Sequence, residues 1–171
     1  MEIDTDKFKS LVAYMKDQHT EERDRFTRLE DKSIKYLGAV TIAVSAYTFL
    51  IRWVAEQTLP PQTGIERLLV IFMVTTFLAL IVAWSFVFRS IKLQNVARMP
   101  YDDAVLEMFK NNNAASAYVA LAERYGEAIS VRQKEYCKKL AYVEKAYTGI
   151  FLAGLSFSIF IFLLVVNEWI N

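Results

Sequence analysis

One histidine and one cysteine are present in 171 residues, His19 and Cys137. Catalysis needs a poised acid, base, nucleophile or metal. The two side chains fall on different predicted helices, and no third partner is indicated for a Cys-His hydrolase. No zinc spacing, Gly-rich phosphate loop or H-E-x-x-H pattern occurs. Asp102-Asp103 suits the first turn of a helix, where negative charge meets the positive end of the helix dipole. The expectation is a protein that is not an enzyme and holds no cofactor or metal.

Two constellations remain. His19 and Glu22 are three apart on one helical face and are positioned to pair. A polar group in a coiled-coil seam sets register or oligomer state, and a histidine there titrates near neutral pH. The plainer reading is a pair of partly exposed seam positions with no special contact. Lys35, Gly38, Thr41, Ser45, Thr48 and Arg52 recur at steps of three and four, a mildly polar stripe on one helix. Thr41, Ser45, Thr48 and Arg52 are the candidates to line a pore or watery groove in an oligomer. Helix packing is the simpler reading, because hydroxyls and small residues are common at membrane-helix contacts.

The elements that carry these residues follow from hydropathy. Runs 36–51, 68–88 and 146–167 contain no charged residue, while the rest of the chain is densely charged. A span needs about 20 apolar residues at ~1.5 Å rise each. The second and third runs meet this. The first does so if Lys35 and Arg52 snorkel to the two interfaces. Trp53, Trp84, Trp169, Tyr36 and Tyr147 stand near the ends of the runs, where aromatic rings favour the headgroup boundary. The fold expected is an all-α membrane protein with about three transmembrane helices and long cytoplasmic helical extensions. Its segments are a cytoplasmic amphipathic helix over 1–35, spans over 36–54, 67–89 and 146–169, an external loop over 55–66, and a cytoplasmic helical region over 90–145. The acidic, polar start lacks the basic and apolar regions of a secretory signal, so the first span is expected to stay as an anchor.

Eight Lys and Arg precede the first span, two flank the first connection, ten lie between the second and third spans, and none follows the third. The positive-inside rule then puts the N-terminus and the middle region in the cytoplasm and the C-terminus outside, as expected of a bacterial inner-membrane protein. A lone cysteine in a cytoplasmic stretch stays a thiol. The net charge of +1 gives no reason to expect a nucleic-acid partner.

Phe8, Val12, Met15, His19, Glu22, Phe26, Leu29 and Ser33 follow alternating steps of four and three, and the seam continues through Tyr36, Val40, Ala43, Tyr47 and Leu50. One helix over about 6–54, capped by Thr5 or Asp4, is predicted. The second span is expected to run on through Lys92 and stop before Pro100. A short helix over 101–110 follows, then a turn at Asn111-Asn112-Asn113 with Asn113 as a cap. From Ala114 nothing breaks the helix. Tyr118, Leu121, Ala122, Tyr125, Ile129, Tyr136, Leu140, Val143 and Tyr147 make its apolar stripe. Thr76, Ala79 and Ala83, then Gly149, Ala153 and Ser156, and the pair Gly154 and Ser158, read as packing faces. Membrane lipid, further copies of the chain and a cytoplasmic protein are the expected partners, because the apolar faces must be buried. No Asp or Glu lies inside a span, which argues against a proton- or cation-coupled transporter.

The stretch Arg28-Leu29-Glu30-Asp31-Lys32-Ser33-Ile34-Lys35-Tyr36-Leu37-Gly38, entering the first span, resembles small bacterial membrane effectors of anti-phage systems, the SLATT-type and Pycsar-type transmembrane effectors. Leu121-Ala122-Glu123-Arg124-Tyr125, followed by Lys138-Lys139-Leu140 and Ala146, is similar to them too. The resemblance implies a hairpin of two membrane helices with helical cytoplasmic extensions, and a role in membrane disruption or ion leakage after an infection signal. The C-terminal span is one more than that plan contains. A non-conducting scaffold that recruits a soluble partner, and a subunit of a channel or transporter, are the other readings.

Overall fold

The computed structural model describes residues 5–92 and 103–170, and it is all-helical: α1 (Thr5–Thr58), α2 (Gly64–Ile91), α3 (Asp103–Asn111) and α4 (Ala114–Ile170). Three of these, α1, α2 and α4, are long and apolar enough to cross a membrane. Only 11% to 22% of the residues in their apolar windows are buried within the chain. A buried helix of a soluble core would hide most of that surface; here Ile42, Phe49, Leu78, Phe151 and Phe162 all lie outward and exposed.

The chain forms two compact units. The first comprises residues 5–30 and 103–138, the second 31–92 and 139–170. In the first unit every α1 seam position is at least partly covered, from Phe8, Val12, Met15, His19 and Glu22 to the fully buried Phe26 and Leu29. From α4, Ala115, Ala117, Ala122, Ala128 and Arg132 are buried. Small residues there let the helices come close: a Cβ on Gly126 would stand 3.3 Å from the Met15 methyl.

The second unit is a three-helix bundle with a seven-residue step on every helix. Ser33, Val40, Tyr47 and Val54 are buried on α1, Leu69, Thr76, Ala83 and Ser90 on α2, and Lys139, Ala146, Ala153 and Phe160 on α4. Such a repeat is the mark of left-handed knobs-into-holes packing. Two seam expectations fail: Tyr36 and Ala43 are exposed, because three-helix packing leaves α1 a narrower buried stripe. Gly149 sits against α2, where an added Cβ would lie 3.1 Å from Ala83 Cβ, so the absence of a side chain sets that approach. Of the expected packing faces, Thr76 and Ala83, and Ala153 and Ser156, are buried, whereas Gly154 and Ser158 are exposed on another side of α4.

Helix ends depart from expectation for local reasons. The connection between α1 and α2 is only 59–63, inside the expected loop 55–66. α1 runs to Thr58, with the Leu59 amide still bonded to the Ala55 carbonyl at 3.1 Å, and Pro60-Pro61 ends it. α2 opens on a capping box that the sequence reading missed: Thr63 Oγ1 accepts from the Glu66 amide at 3.2 Å, and Glu66 Oε2 accepts from the Thr63 amide at 3.1 Å. α2 stops at Ile91, one residue short of the expected run through Lys92, whose ψ of 125° leaves the helix. The Asp4 cap, the stop at Pro100 and the start at Tyr101 lie outside the described residues, as does Asp102; Thr5 and Asp103 are the first residues of α1 and α3. Asn113 caps α4 as expected, its Oδ1 accepting from the Ser116 amide at 2.8 Å.

Thr63→Ala is expected to lower unfolding stability by ~1 kcal/mol, and Thr63→Ser to restore most of it, because the serine hydroxyl keeps the cap. Reversible unfolding of the purified protein in mixed micelles, followed by tryptophan fluorescence, measures both. Equal stability of all three proteins would remove the cap from the account.

Candidate functional site

The polar stripe of α1 lies on the open side of the second unit. Thr41, Ser45, Thr48 and Arg52 are all exposed, as are Lys35 and Gly38. Each hydroxyl donates to the carbonyl four residues back: Thr41 to Leu37 at 2.7 Å, Ser45 to Thr41 at 2.9 Å, Thr48 to Val44 at 2.8 Å. This hides the donor proton from lipid and leaves oxygen lone pairs on the surface. Thr41 also accepts from Trp84 Nε1 at 3.1 Å, which ties the stripe to α2. Arg52 pairs with Glu56 at 3.3 Å, one turn further along, with both side chains well exposed. Apart from the Thr41–Trp84 bond, the stripe takes little part in packing within the chain.

Inside the bundle the polar groups satisfy one another. The Thr76 and Ser156 hydroxyls lie 2.8 Å apart, and both approach the Phe72 carbonyl, at 2.8 and 3.3 Å. Tyr47 donates to the Met73 carbonyl at 3.0 Å, and its ring meets Phe157 and Phe160 edge-on. Beside Tyr47 and Thr76 runs an apolar cleft of about 370 Å³, walled by Ala43, Leu80, Ile150 and Ala153.

In the first unit His19 and Glu22 take separate partners instead of pairing. The expectation failed because α4 supplies a cation that the sequence reading had left off its stripe. Arg132 Nη1 stands 3.2 Å from His19 Nε2 and 3.3 Å from the His19 carbonyl. Arginine has no acceptor, so Nε2 must accept and the proton of the neutral ring sits on Nδ1. Tyr125 covers the imidazole edge-on at 5.6 Å. Burial first, then the charges of Arg132 and Arg23, holds the His19 pKa below the usual histidine range. Glu22 receives Arg25 at 3.2 Å, and Arg25 also reaches Glu21 at 2.7 Å. Cys137 is exposed. Among the described residues no three His, Cys, Asp or Glu side chains gather as a metal group.

Arg132 and Lys139 are the residues the sequence reading passed over. Counting sevens back from Phe160 through Ala153 and Ala146 leads to Lys139, Arg132 and Tyr125, so the signal was present once charge was allowed in a seam. Tyr147, taken as part of the stripe, is 65% exposed. No family model, no curated protein and no solved structure matches this chain.

Proposed function

We propose that this protein is an oligomeric membrane effector that depolarises the membrane, with copies of α1 turned so that Thr41, Ser45, Thr48 and Arg52 face a shared conducting path. One observation carries the reading: the most polar face of a membrane-spanning segment is the face its own bundle leaves uncovered. Polar groups at membrane depth favour protein or water over hydrocarbon, and copies of the chain supply both. The positive-inside distribution puts the His19 unit in the cytoplasm, where it acts as the controlling element. The resemblance to anti-phage effectors supports an infection signal as the stimulus. The role is non-enzymatic.

A non-conducting scaffold is the second reading, favoured by the back-donated hydroxyls, which already satisfy their protons without a neighbour. Membrane potential in bacterial cells expressing the protein, read with a voltage-sensitive dye with and without phage challenge, separates the two. Conduction predicts depolarisation that Ser45→Leu with Thr48→Leu abolishes at equal membrane levels. Phe49→Leu, on an exposed apolar position, leaves it intact. Depolarisation that survives the double substitution sinks the α1 path. An unchanged potential in the parent protein moves the function to recruitment.

A further inference from the structure

The cleft of the second unit has polar side chains in its wall but no polar group to offer an occupant. The Tyr47 hydroxyl donates to the Met73 carbonyl at 3.0 Å, and the Thr76 hydroxyl is engaged by Ser156 and the Phe72 carbonyl. The rest of the wall is apolar, with Ala43, Ala46 and Leu50 from α1 and Gly154 and Phe157 from α4. A Cβ built on Gly154 meets no atom within 4 Å, so the space is open there. Water in such a place lacks the polar partners it needs. An unfilled cleft forfeits dispersion contacts all along its lining. An apolar occupant satisfies both conditions.

The two walls point to one end of the unit. On α1, Lys32, Tyr36, Ala39, Ala43, Ala46 and Leu50 follow steps of four and three and so share a face. On α4, Val143, Tyr147, Ile150, Gly154 and Phe157 do the same. Tyr36 and Tyr147 are exposed toward that end, as suits rings at a headgroup boundary. Lys32, Lys35, Arg89, Lys92 and Lys145 are exposed there too, against Asp31 and Glu144. The end is positively charged, which complements an anionic headgroup.

Depth and size agree with a lipid chain. At ~1.5 Å per residue, Ala43 lies ~10 Å and Leu50 ~21 Å along α1 from Tyr36. The acyl chains of one leaflet reach ~15 Å, half of a ~30 Å core. A lipid with its headgroup at Lys32 and Lys35 thus brings the lower part of a chain into the cleft. At ~30 Å³ per methylene, close to the share of one water molecule, about 370 Å³ holds about twelve groups, enough for one chain and not two. The cleft face also lies roughly half a turn around α1 from Thr41, Ser45 and Thr48, so copies that meet at the polar stripe leave it to lipid.

We propose that this cleft holds one acyl chain of an anionic phospholipid, whose headgroup sits against Lys32 and Lys35. The inference rests on the three long helices crossing a membrane and is independent of conduction.

Native mass spectrometry of the full chain tests it, by counting the lipids that survive detergent exchange after incubation with phosphatidylglycerol or phosphatidylcholine. The parent protein should keep one phosphatidylglycerol per chain and hold it at least ~fivefold more tightly than phosphatidylcholine, the selectivity of one or two lysines at an anionic headgroup. Gly154→Leu and Ala46→Leu each put a side chain into the cleft from an exposed position, and each should lower retention at least ~tenfold by a clash with the chain. Lys32→Gln with Lys35→Gln should erase the preference for phosphatidylglycerol and leave phosphatidylcholine retention as it was. Phe151→Leu, exposed on another face of α4, should change neither. A parent protein that keeps no lipid, full retention in both filled variants, or equal retention of the two headgroups overturns the proposal. So does a lipid-free dimer that Gly154→Leu splits, which gives the cleft to a second copy of the chain.

Discussion

Phe160→Ala should lower the stability of the second unit by ~3–5 kcal/mol, the largest single effect expected from any side chain in it. Phe160 is fully buried and packs with Val54, Leu69 and Met73 in a buried apolar cluster of that unit. If the segment unfolds within a bilayer or micelle, the ring moves from protein into hydrocarbon, so most of the usual water-transfer gain is absent. What is lost is packing. A vacated space of roughly 100 Å³ at about 24 cal/mol per Å³ costs ~2.4 kcal/mol. The ring contacts with Tyr47 at 6.3 Å edge-on and with Phe157 at 6.3 Å stacked add to this, at ~0.5–1.5 kcal/mol for each pair. Phe162→Ala is the matched control, two residues along the same helix and 67% exposed. It should change stability by less than ~0.5 kcal/mol, since lipid or detergent replaces the ring's neighbours. Unfolding in mixed micelles, monitored by fluorescence, compares the two. Equal losses would mean that α4 does not present its heptad face inward and that the bundle register is wrong.

That register was half legible in the sequence. The α1 seam could be read through 8–33, because polar residues on its other faces made the steps of four and three stand out. Inside a span that contrast vanishes. A helix apolar all round gives its length but not its inward face, which is why Tyr36 and Ala43 were placed in the seam and proved exposed. On α4 the same rule of apolar-inside misled in the opposite direction. Arg132 and Lys139 are 7% and 2% exposed, and a stripe drawn only through tyrosines and aliphatics stepped around both. The polar stripe of α1 was found by its spacing. Its direction, away from the chain's own packing, is set by which side Val40, Tyr47 and Val54 occupy, a tertiary fact.

Acidification should loosen the first unit, and His19 should be the reason. Its folded pKa lies below that of a free histidine, with burial the main cause and Arg132 and Arg23 the next. A base with a depressed folded pKa binds fewer protons folded than unfolded, so stability rises with pH through this window. The contribution is complete above the unfolded value of about 6.5 and fades as pH falls toward the folded pKa. Protonation also removes the acceptor that Nε2 offers to Arg132 and sets two cations 3.2 Å apart in a part-buried place. Glu22, the nearby carboxylate on α1, is engaged by Arg25, and the salt bridge at 3.2 Å limits its help to the imidazolium. Because His19 is the chain's only histidine, its two imidazole C–H resonances need no residue assignment, and the Hε1 signal follows its titration. That signal should titrate below the free value in the parent protein and move up toward it in Arg132→Met, which keeps much of the buried volume and removes the charge. Protection factors of the amides in 5–30 and 114–138, taken relative to the base-catalysed intrinsic exchange rate at each pH, should fall between pH 7 and about pH 5.5 in the parent, a window that brackets the free histidine value. His19→Gln, an acceptor that cannot charge, should flatten that dependence. An imidazole that titrates at or above the free value, or one indifferent to Arg132→Met, would show that the Arg132 contact does not govern the ring, and would leave the first unit without its proton-sensitive element.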